Sequence, residues 1–580
     1  MIKRLAKSIR EYKKESILAP TFVLIESLME VAIPMVTGFL ISYGISGKDA
    51  EKLIFYSVIL LICVSISLPC GILAGKYASI ASAGFAKNLR HDIYVNVQKF
   101  SFANIDKFST SSIVTRLTTD ITNVQMAYMM IIRTAIRSPM MIIFSFVATL
   151  LINPKIALIF LCIIPILGGG LIFIASKAHP IFEHVFKTYD KLNNVVQENL
   201  RGIRVVKTFV REKHEEEKFN TVSEDIFKSF SKAEKILAFN SPLMQTCINS
   251  GMLLIAWIGA KSIVGGSGMT TGQLTSVISY AMMILISLMM ISMIFVMIII
   301  SRASAERIIE VLDEQSDIVN PENPIFKITD GSVKFENVNF SYSKKADNLC
   351  LTDINLDIPS GATVGIIGGT GSSKTSLIQL ISRLYDTTSG VVSVGGQDVR
   401  LYDIESLRNE VSVVLQKNVL FSGTIKENLR WGDKNATDED IIRVCKLAQA
   451  DSFIEGFPDG YDTYIEQGGT NVSGGQKQRL CIARALLKKP KILILDDSTS
   501  AVDTKTDALI RKAFKEEIPD TTKFIIAQRI SSVKDSDIII VLEGGKINGL
   551  GTHEELLNSN EIYKEIFISQ EKGAEEDGSN

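Results

Sequence analysis

The stretch Ala362–Ser376 reads ATVGIIGGTGSSKTS. Its β-branched start predicts a short buried strand, and the pattern SLIQLISRLY that follows the lysine and threonine predicts a helix. A glycine-rich turn between a strand and a helix is the context in which such a loop binds phosphate. We expect the backbone N–H groups of Gly369–Lys374 to surround a β-phosphate at the positive end of the helix dipole. The stretch therefore predicts a nucleotide-binding loop inside an α/β domain.

The side chains of this loop have expected roles of their own. Lys374 is expected to reach the β- and γ-phosphates, and Thr375 to coordinate Mg²⁺. The common pattern has glycine immediately before the lysine, whereas this chain has Ser373. The residues predicted to contact the nucleotide here are Gly368, Gly369, Thr370, Gly371, Ser372, Ser373, Lys374, Thr375 and Ser376.

Composition narrows the class of protein. A chain of 580 residues is long enough for more than one domain. It has 62 basic and 63 acidic residues, so its balance of charge does not predict a nucleic-acid partner. The seven cysteines show no metal-ligand spacing, and several lie inside apolar runs. They are therefore interpreted as small buried side chains in a reducing compartment.

The first half of the chain carries the apolar residues. Six long apolar segments run over residues 17–45, 53–75, 126–152, 156–176, 243–264 and 274–300. Each is close to or above the roughly 20 residues that a helix needs to cross a bilayer. One such segment alone could be a buried core helix, but six in one half predict an all-α, polytopic membrane domain with six transmembrane helices.

Basic residues indicate the orientation of these helices. They concentrate at the N-terminus and in the long connections 76–125 and 177–240, whereas the other connections are short. The positive-inside rule then places both termini and the long connections in the cytoplasm. These connections have helical periodicity and few prolines, so we expect the membrane helices to continue into the cytoplasm as helical hairpins.

Two pairs of charged residues lie within apolar segments at i,i+4 spacing. Glu26 and Glu30 share a face of the first segment, and Arg133 and Arg137 share a face of the third. They either line a polar substrate path, or they form interhelical pairs or lie near the cytoplasmic interface, and we favour the second interpretation. The last segment is rich in methionine, which fits either varied apolar ligands or ordinary packing.

The second half is predicted to be soluble. A polar linker over 313–330 separates a membrane domain (1–312) from an α/β domain (331–570), and the charged tail 571–580 is expected to be disordered. Residues 491–497, KILILDD, form a buried-strand pattern that places Asp496 to hold Mg²⁺. Residues 471–479, NVSGGQKQR, form a second anion-binding turn, whose Ser473, Gly474 and Gly475 have no obvious approach to the same nucleotide.

These ordered motifs resemble the nucleotide-binding domain of ATP-binding cassette (ABC) transporters. With six membrane helices the chain resembles a half-transporter of the bacterial exporter type. The resemblance assigns Tyr342 to stacking on adenine, Gln416 to Mg²⁺, and Glu466 and Gly468 to the intracellular helices. It assigns the signature motif to Val472, Ser473, Gly474, Gly475 and Gln476, with valine in place of the usual leucine, and a dimer-interface loop to Ser500–Asp503, with Ser500 and Asp503 at its ends.

The resemblance also implies an assembly. Two nucleotide-binding domains close head to tail, and each ATP, with Mg²⁺, lies between one phosphate loop and the other subunit's signature motif. The segments IDKFSTSSIVTRLTTD and ENLRGIRVVKTFVRE resemble the two intracellular hairpins, with short coupling helices expected near 104–111 and 189–196. An ABC-type ATPase and translocase of the bacterial cytoplasmic membrane is the implied protein, with its ATPase domain in the cytoplasm.

Two departures from the family pattern lie at the hydrolytic positions. Asp497 stands where glutamate normally polarises the attacking water, and Gln528 stands at the position of the switch histidine. Aspartate is shorter by about 1.5 Å, and glutamine does not relay a proton as imidazole does. The pattern resembles the degenerate subunit of heterodimeric exporters, whose partner half-transporter supplies the intact glutamate and histidine; a homodimer would carry two impaired sites.

The implied substrates are hydrophobic, amphipathic or peptide-like compounds, with membrane lipids around the chain. Lipid flipping and export of one dedicated peptide are alternatives within transport. A regulator or sensor that only binds ATP is an alternative of another class. ATP-driven export of such compounds is the leading hypothesis.

Overall fold

The computed structural model describes residues 1–265, 269–343, 348–498 and 501–578. The chain divides into two compact units, called below the first or membrane unit and the second or ATPase unit. The first comprises Met1–Gln98 and Thr110–Glu314, and the second comprises Lys99–Ser109 and Gln315–Asn580. The short segment Lys99–Ser109 thus packs with the second unit, although it lies within the first half of the sequence. The domain boundaries expected from composition stay a prediction.

The regular secondary structure of the first unit's described residues is entirely helical. Its helices are α1 (Ile2–Ala6), α2 (Lys13–Phe39), α3 (Ala50–Gln98), α5 (Thr110–Thr115), α6 (Ile121–Ile132), α7 (Thr134–Ile152), α8 (Pro154–Arg201), α9 (Ile203–Thr208), α10 (Glu212–Leu237), α11 (Asn240–Val264) and α12 (Thr271–Asp313), while α4 (Phe102–Lys107) belongs to the second unit. Short π-helical turns at Leu40–Ile45 and Arg116–Asp120 follow α2 and α5.

Among the described residues, six helical runs are long and apolar enough to cross a membrane, which confirms the predicted architecture. They are Ile2–Ile45, Ala50–Gln98, Thr110–Ile152, Pro154–Arg201, Glu212–Val264 and Thr271–Asp313. Each exceeds the roughly 20 residues of a simple span. The surplus accommodates the expected continuation of the helices beyond the apolar segments.

Ion pairs join the polar parts of these helices. Arg307 of α12 binds Asp120, with Nε donating to Oδ2 at 2.8 Å. Arg116 donates to Glu310 at 2.7 Å. Asp120 is almost completely buried, so its charge needs this partner. These pairs fix α12 against the helix that begins the third span.

The structure corrects the expected position of one coupling helix. The segment 189–196 lies inside the unbroken helix α8, and the separate short helix is α9, Ile203–Thr208. The break occurs at Gly202, which caps α8 with φ −91° and ψ 9°. Nothing between residues 189 and 201 interrupts helical geometry, since this segment lacks both glycine and proline. The last helix extends to Gly578, and the disorder expected for the tail stays a prediction.

The second unit is α/β. Its strands are β1 (Val333–Phe340), β2 (Leu351–Ile358), β3 (Thr363–Gly368), β4 (Ser389–Val394), β5 (Gln397–Asp398), β6 (Val411–Val414), β7 (Gly423–Thr424), β8 (Tyr464–Ile465), β9 (Ile492–Asp496), β10 (Thr522–Ile526), β11 (Ile538–Glu543) and β12 (Lys546–Gly551). Its further helices are α13 (Lys374–Ile381), α14 (Ile404–Glu410), α15 (Ile425–Leu429), α16 (Asp438–Leu447), α17 (Asp451–Ile454), α18 (Gly474–Leu487), α19 (Thr504–Glu517), α20 (His553–Ser559) and α21 (Glu561–Gly578).

Two main sheets organise this unit. A four-stranded antiparallel sheet has the order β2-β1-β4-β5, and a six-stranded sheet has the order β12-β11-β3-β10-β9-β6. Neighbouring strands from β11 to β6 run parallel, and β12 is an antiparallel edge. The apolar residues of β3, β9 and β10 are buried on both faces, as expected for a parallel sheet covered by helices. Their carboxyl ends therefore meet at one edge, where ligands bind in open α/β sheets.

Candidate nucleotide site

Four neighbouring parallel strands bring the predicted site residues to one edge. The phosphate loop follows β3, Gln528 follows β10, Asp496 ends β9, and Gln416 follows β6. In the register Asp496 lies opposite Ile526, which in turn lies opposite Ile366. Residues far apart in sequence are thus adjacent because their strands are adjacent.

The glycine-rich loop is shaped by the backbone at three positions. A Cβ at Gly368 would overlap the carbonyl oxygen of Leu542, so only glycine fits there. Gly371 has φ +83°, which glycine adopts without steric cost. Ser373 has φ +70°, in the left-handed region that favours glycine. This explains why the common pattern has glycine before the lysine, and it makes Ser373 a strained residue at the start of α13.

The loop exposes unpaired backbone donors. In the described chain the N–H groups of Gly371, Ser373 and Lys374 have no hydrogen-bond acceptor. Ser373 occupies the N-cap position of α13, and its hydroxyl accepts no capping bond. Free N–H groups at a helix N-terminus attract an anion through both hydrogen bonding and the helix dipole.

Lys374 and Thr375 are held by the loop and by the neighbouring strand. Lys374 Nζ donates to the carbonyls of Gly368 at 2.8 Å and Gly369 at 2.9 Å. Burial lowers the pKa of Lys374, and the carboxylates of Asp496 and Asp497 oppose this shift. Thr375 Oγ1 donates to Asp496 at 3.0 and 3.2 Å.

These groups fit a magnesium nucleotide. Asp496 is almost completely buried, and burial raises its pKa, while the bond from Thr375 and the nearby Lys374 lower it. A buried carboxylate next to a hydroxyl is a donor set that Mg²⁺ completes with phosphate oxygens and water. Thr375 and Asp496 would hold the cation, and Lys374 with the loop N–H groups would hold the phosphates. The bound cation would neutralise phosphate charge.

Asp497 and Gln528 are bonded to each other. Gln528 Nε2 donates to Asp497 Oδ2 at 2.8 Å. Asp497 itself has φ +48°, and its N–H donates to the carbonyl of Ile526 at 3.1 Å. An amide donor therefore occupies one oxygen of the carboxylate at the position where the family has its water-polarising residue.

Tyr342, predicted to stack on adenine, and Gln416, predicted to contact Mg²⁺, occupy different surroundings. The exposed ring of Tyr342 packs edge-on against Phe340 and Tyr385, with centroids 4.8 and 5.1 Å away. Its hydroxyl bonds with Ser376 on α13 at 2.8 Å, so the ring lies beside the phosphate loop. Gln416 lies beyond the end of β6 with an exposed side chain.

The signature residues form the start of α18. Ser473 is its N-cap and Gln476 its third residue, and they form a reciprocal capping box. A Cβ at Gly475 would lie 2.7 Å from the carbonyl oxygen of Ala501. In the described chain no hydrogen bond joins residues 472–476 to residues 368–376. The structure therefore does not combine the two predicted anion sites within one chain.

The remaining predicted residues have local roles. Asp503 caps α19 by accepting from the N–H of Thr506 at 2.9 Å, and this bond lowers the pKa of Asp503. Ser500 lies outside the described residues. Glu466 accepts from the Thr470 hydroxyl at 2.8 Å, and Gly468 has φ +73°. The functional roles assigned to all of these residues stay predictions.

Sequence reasoning missed two contacts of this unit. Gln570 of α21 binds the backbone on both sides of Arg529, donating to the carbonyl of Gln528 and accepting from the N–H of Ile530. Tyr385 donates to Asp106 of α4 at 2.6 Å, and this bond contributes with burial to raising the pKa of the tyrosine. Neither contact has a sequence signal, because the partners are 42 and 279 positions apart.

Comparison with protein families defines the class of protein. The family model described as the ABC transporter transmembrane region matches residues 16–289. The model described as ABC transporter matches residues 351–500. One membrane region fused to one ATPase domain is the organisation of an ABC exporter half-transporter.

Whole-length relatives agree with these matches. The chain is 35% identical to the uncharacterized ABC transporter ATP-binding protein YfiB of Bacillus subtilis (strain 168), with 97% of each chain covered. It is 32% identical to the ATP-dependent lipid A-core flippase of Desulfotalea psychrophila, with 98% of this chain and 99% of that one covered. The chain belongs to the ABC transporter family. A solved bacterial Atm1-family ABC exporter with ATP bound has the same fold, with a TM-score of 0.82, 23% identity, and 97% of this chain and 98% of that one covered.

Proposed function

We propose that this chain is one subunit of an ATP-driven exporter and that its own nucleotide site binds ATP but hydrolyses it slowly. The observation that carries the proposal is the hydrogen bond from Gln528 to Asp497. Both hydrolytic positions of the site depart from the family pattern, and the two residues are engaged with each other.

The chemistry of this pair opposes hydrolysis. A carboxylate that polarises water must lie within hydrogen-bond reach of that water. Asp497 is one methylene shorter than glutamate, and a misplacement of about 1 Å costs about 10²-fold in rate. Its Oδ2 already accepts from Gln528. The glutamine amide donates a hydrogen bond but takes up no proton, so it does not replace a histidine.

Nucleotide binding is favoured by the same site. Support comes from the free N–H groups of the loop, which lie beside Lys374, Thr375 and Asp496 at one edge of the sheet. ATP that is bound and slowly cleaved would keep two domains associated for long periods. The chain then needs an unlike half-transporter with intact glutamate and histidine, to whose site it contributes Ser473 and the rest of its signature motif.

The transported compounds are proposed to be hydrophobic or amphipathic. Support comes from a cavity in the membrane unit whose lining includes Met141, Met283 and Met290. Flexible thioethers adapt to varied apolar ligands. The lipid-moving alternative is favoured by the name of the Desulfotalea psychrophila relative, a lipid A-core flippase. We further propose that both termini and the ATPase unit lie in the cytoplasm. The basic residues of the first half concentrate at the N-terminus and in the connections 76–125 and 177–240, and the positive-inside rule places such segments in the cytoplasm.

The test restores the common residues. The Asp497→Glu, Gln528→His double variant of the isolated full-length chain should hydrolyse ATP about 10–100-fold faster than the wild-type chain. Adding Lys374→Ala to the double variant should remove this gain, which shows that the activity belongs to this site. A wild-type chain that hydrolyses ATP alone as fast as the double variant would contradict the proposal.

The heterodimer offers a matched comparison. With its partner half-transporter present, Asp497→Asn should change ATP turnover by less than about twofold, since hydrolysis would take place mainly at the partner's site. Ser473→Ala should lower turnover strongly, because the serine contributes to that site. Equal effects of the two substitutions would favour two equivalent sites. Inverted vesicles test export itself: ATP-dependent dye uptake supports it, and no uptake with the partner present favours a regulator.

A further inference from the structure

A cavity of about 530 Å³ lies within the membrane unit, between α2, α7 and α12. This volume is in the range of small-molecule sites. Its charged lining residues in the described chain are Glu30, Arg133 and Arg137, and much of the remaining lining is methionine and isoleucine. Charged groups within membrane-spanning helices are expensive and usually functional.

One of the two arginines is already neutralised. Arg137 Nη2 donates to both oxygens of Glu30, at 2.6 and 2.7 Å. Its Nη1 also lies 3.7 Å from Glu26, which is 8% exposed and does not line the cavity. The interhelical pairing favoured by the sequence therefore exists, and it accounts for Arg137.

Arg133 is different. In the described part of the chain its guanidinium makes no hydrogen bond and no ion pair within 4.0 Å. It lies at the break between α6 and α7, with φ −113° and ψ −68°. A Cβ at Gly75 of α3 would lie 3.7, 3.9 and 4.0 Å from its Nη1, Cζ and Nη2. The plane of the guanidinium thus packs face-on against α3, and its N–H groups stay available to a ligand.

We propose that Arg133 binds the single anionic group, carboxylate or phosphate, of an amphipathic molecule whose apolar body contacts the methionines of the cavity. The proposal rests on the exporter function proposed above and names its substrate class. Arg137 is paired with Glu30 and lies near Glu26, so among the described residues that line the cavity Arg133 is the arginine without an ion pair. Guanidinium matches carboxylate and phosphate through paired, charge-assisted hydrogen bonds. In a medium of low dielectric constant such a charge favours an anionic ligand over a neutral one.

The experiment compares two probes that share one apolar chain and differ in the charge of the head group. The full-length chain in phosphatidylcholine nanodiscs, without nucleotide, is titrated with a fluorescent dodecanoic acid and with its methyl ester. Arg133→Gln should weaken binding of the acid about tenfold or more and leave the ester unchanged, since the lost bonds are to a charged group. Arg133→Lys should recover part of the affinity.

Arg302→Gln is the matched control. Arg302 also lies on a membrane-unit helix, α12, but its side chain is exposed and pairs with Glu306 at 3.0 Å. This variant should bind both probes as the wild-type chain does. Unchanged binding of the ester by Arg133→Gln shows that the variant is folded.

The two sources of the anion are separated by lipid composition. Competition by added phosphatidylglycerol identifies a membrane lipid as the ligand, and no competition identifies a non-lipid amphipath; both support the anionic site. Equal loss of acid and ester, or unchanged affinity for the acid, would overturn it. The measurement needs no ATP, so it stands if the hydrolysis proposal fails. Discrimination between the probes without ATP-dependent movement in vesicles would overturn export alone.

Discussion

Two helix N-termini of the ATPase unit, those of α13 and α18, are both predicted to bind phosphate, yet they are built differently. At α18 the N-cap Ser473 accepts from the N–H of Gln476, whose side chain accepts from the N–H of Ser473 in return. At α13 the N-cap Ser373 has a left-handed backbone, and its side chain makes no capping bond. One terminus is closed by its own residues, and the other is open.

The difference explains how each terminus could serve a nucleotide. An open terminus offers several backbone N–H groups to a phosphate from its own loop. A capped terminus has already satisfied some of these donors within the chain, so fewer N–H groups stay available to a ligand. Each terminus also has a lysine that binds a glycine carbonyl at 2.8 Å, Lys374 to Gly368 and Lys477 to Gly468. These lysines permit a matched test.

The largest effect is expected from removing the lysine of the open terminus. Lys374→Ala should weaken ATP binding by the isolated chain about 100-fold, because the ammonium would contact two phosphates through charge-assisted bonds. Lys477→Ala should change it less than about twofold. Binding of a fluorescent ATP analogue by the full-length chain measures both. Similar losses for the two variants would contradict the assignment of the site to α13.

An intermediate effect is expected at the capped terminus. Ser473→Ala should destabilise the first turn of α18 by about 1 kcal/mol, the usual value of an N-cap serine. Amide hydrogen exchange at Gly475–Lys477 should then be roughly fivefold faster. The matched control is Thr552→Ala, which removes the N-cap of an equivalent capping box on α20. Both variants should lose similar local protection, but only Ser473→Ala should slow the heterodimer. Slowing by both would mean that the effect is one of general stability.

The smallest effect is expected at Ser373. Ser373→Gly should raise the thermal stability of the ATPase unit by less than about 1 kcal/mol, because glycine adopts φ +70° without the steric cost that serine carries. The control is Lys489→Gly, at an exposed residue with φ +52° away from the loop. Thermal unfolding of the full-length chain measures both variants. An unfolding midpoint lower for Ser373→Gly than for the wild-type chain would contradict backbone strain at Ser373.

The sequence predicted much of the site because its motifs are local. The order of strand, loop and helix at residues 362–376, and the buried strand ending at Asp496, follow from apolar patterning over a few residues. The six spans follow from length and hydropathy alone. The position of the second coupling helix was predicted less well. No glycine or proline lies between residues 189 and 201, so α8 continues to Arg201, past the segment where the coupling helix was expected.

What the sequence by itself determined is therefore the inventory: six membrane helices, an α/β ATPase domain, and hydrolytic positions that differ from the family pattern. Only the tertiary structure decided which of these residues meet. It joined Gln528 to Asp497, and it paired Arg137 with Glu30, whereas Arg133 has no ion pair within the part of the chain that the structure describes. The physical reason is that side chains distant along the chain come together through strand register and helix packing, which no local pattern of residues encodes.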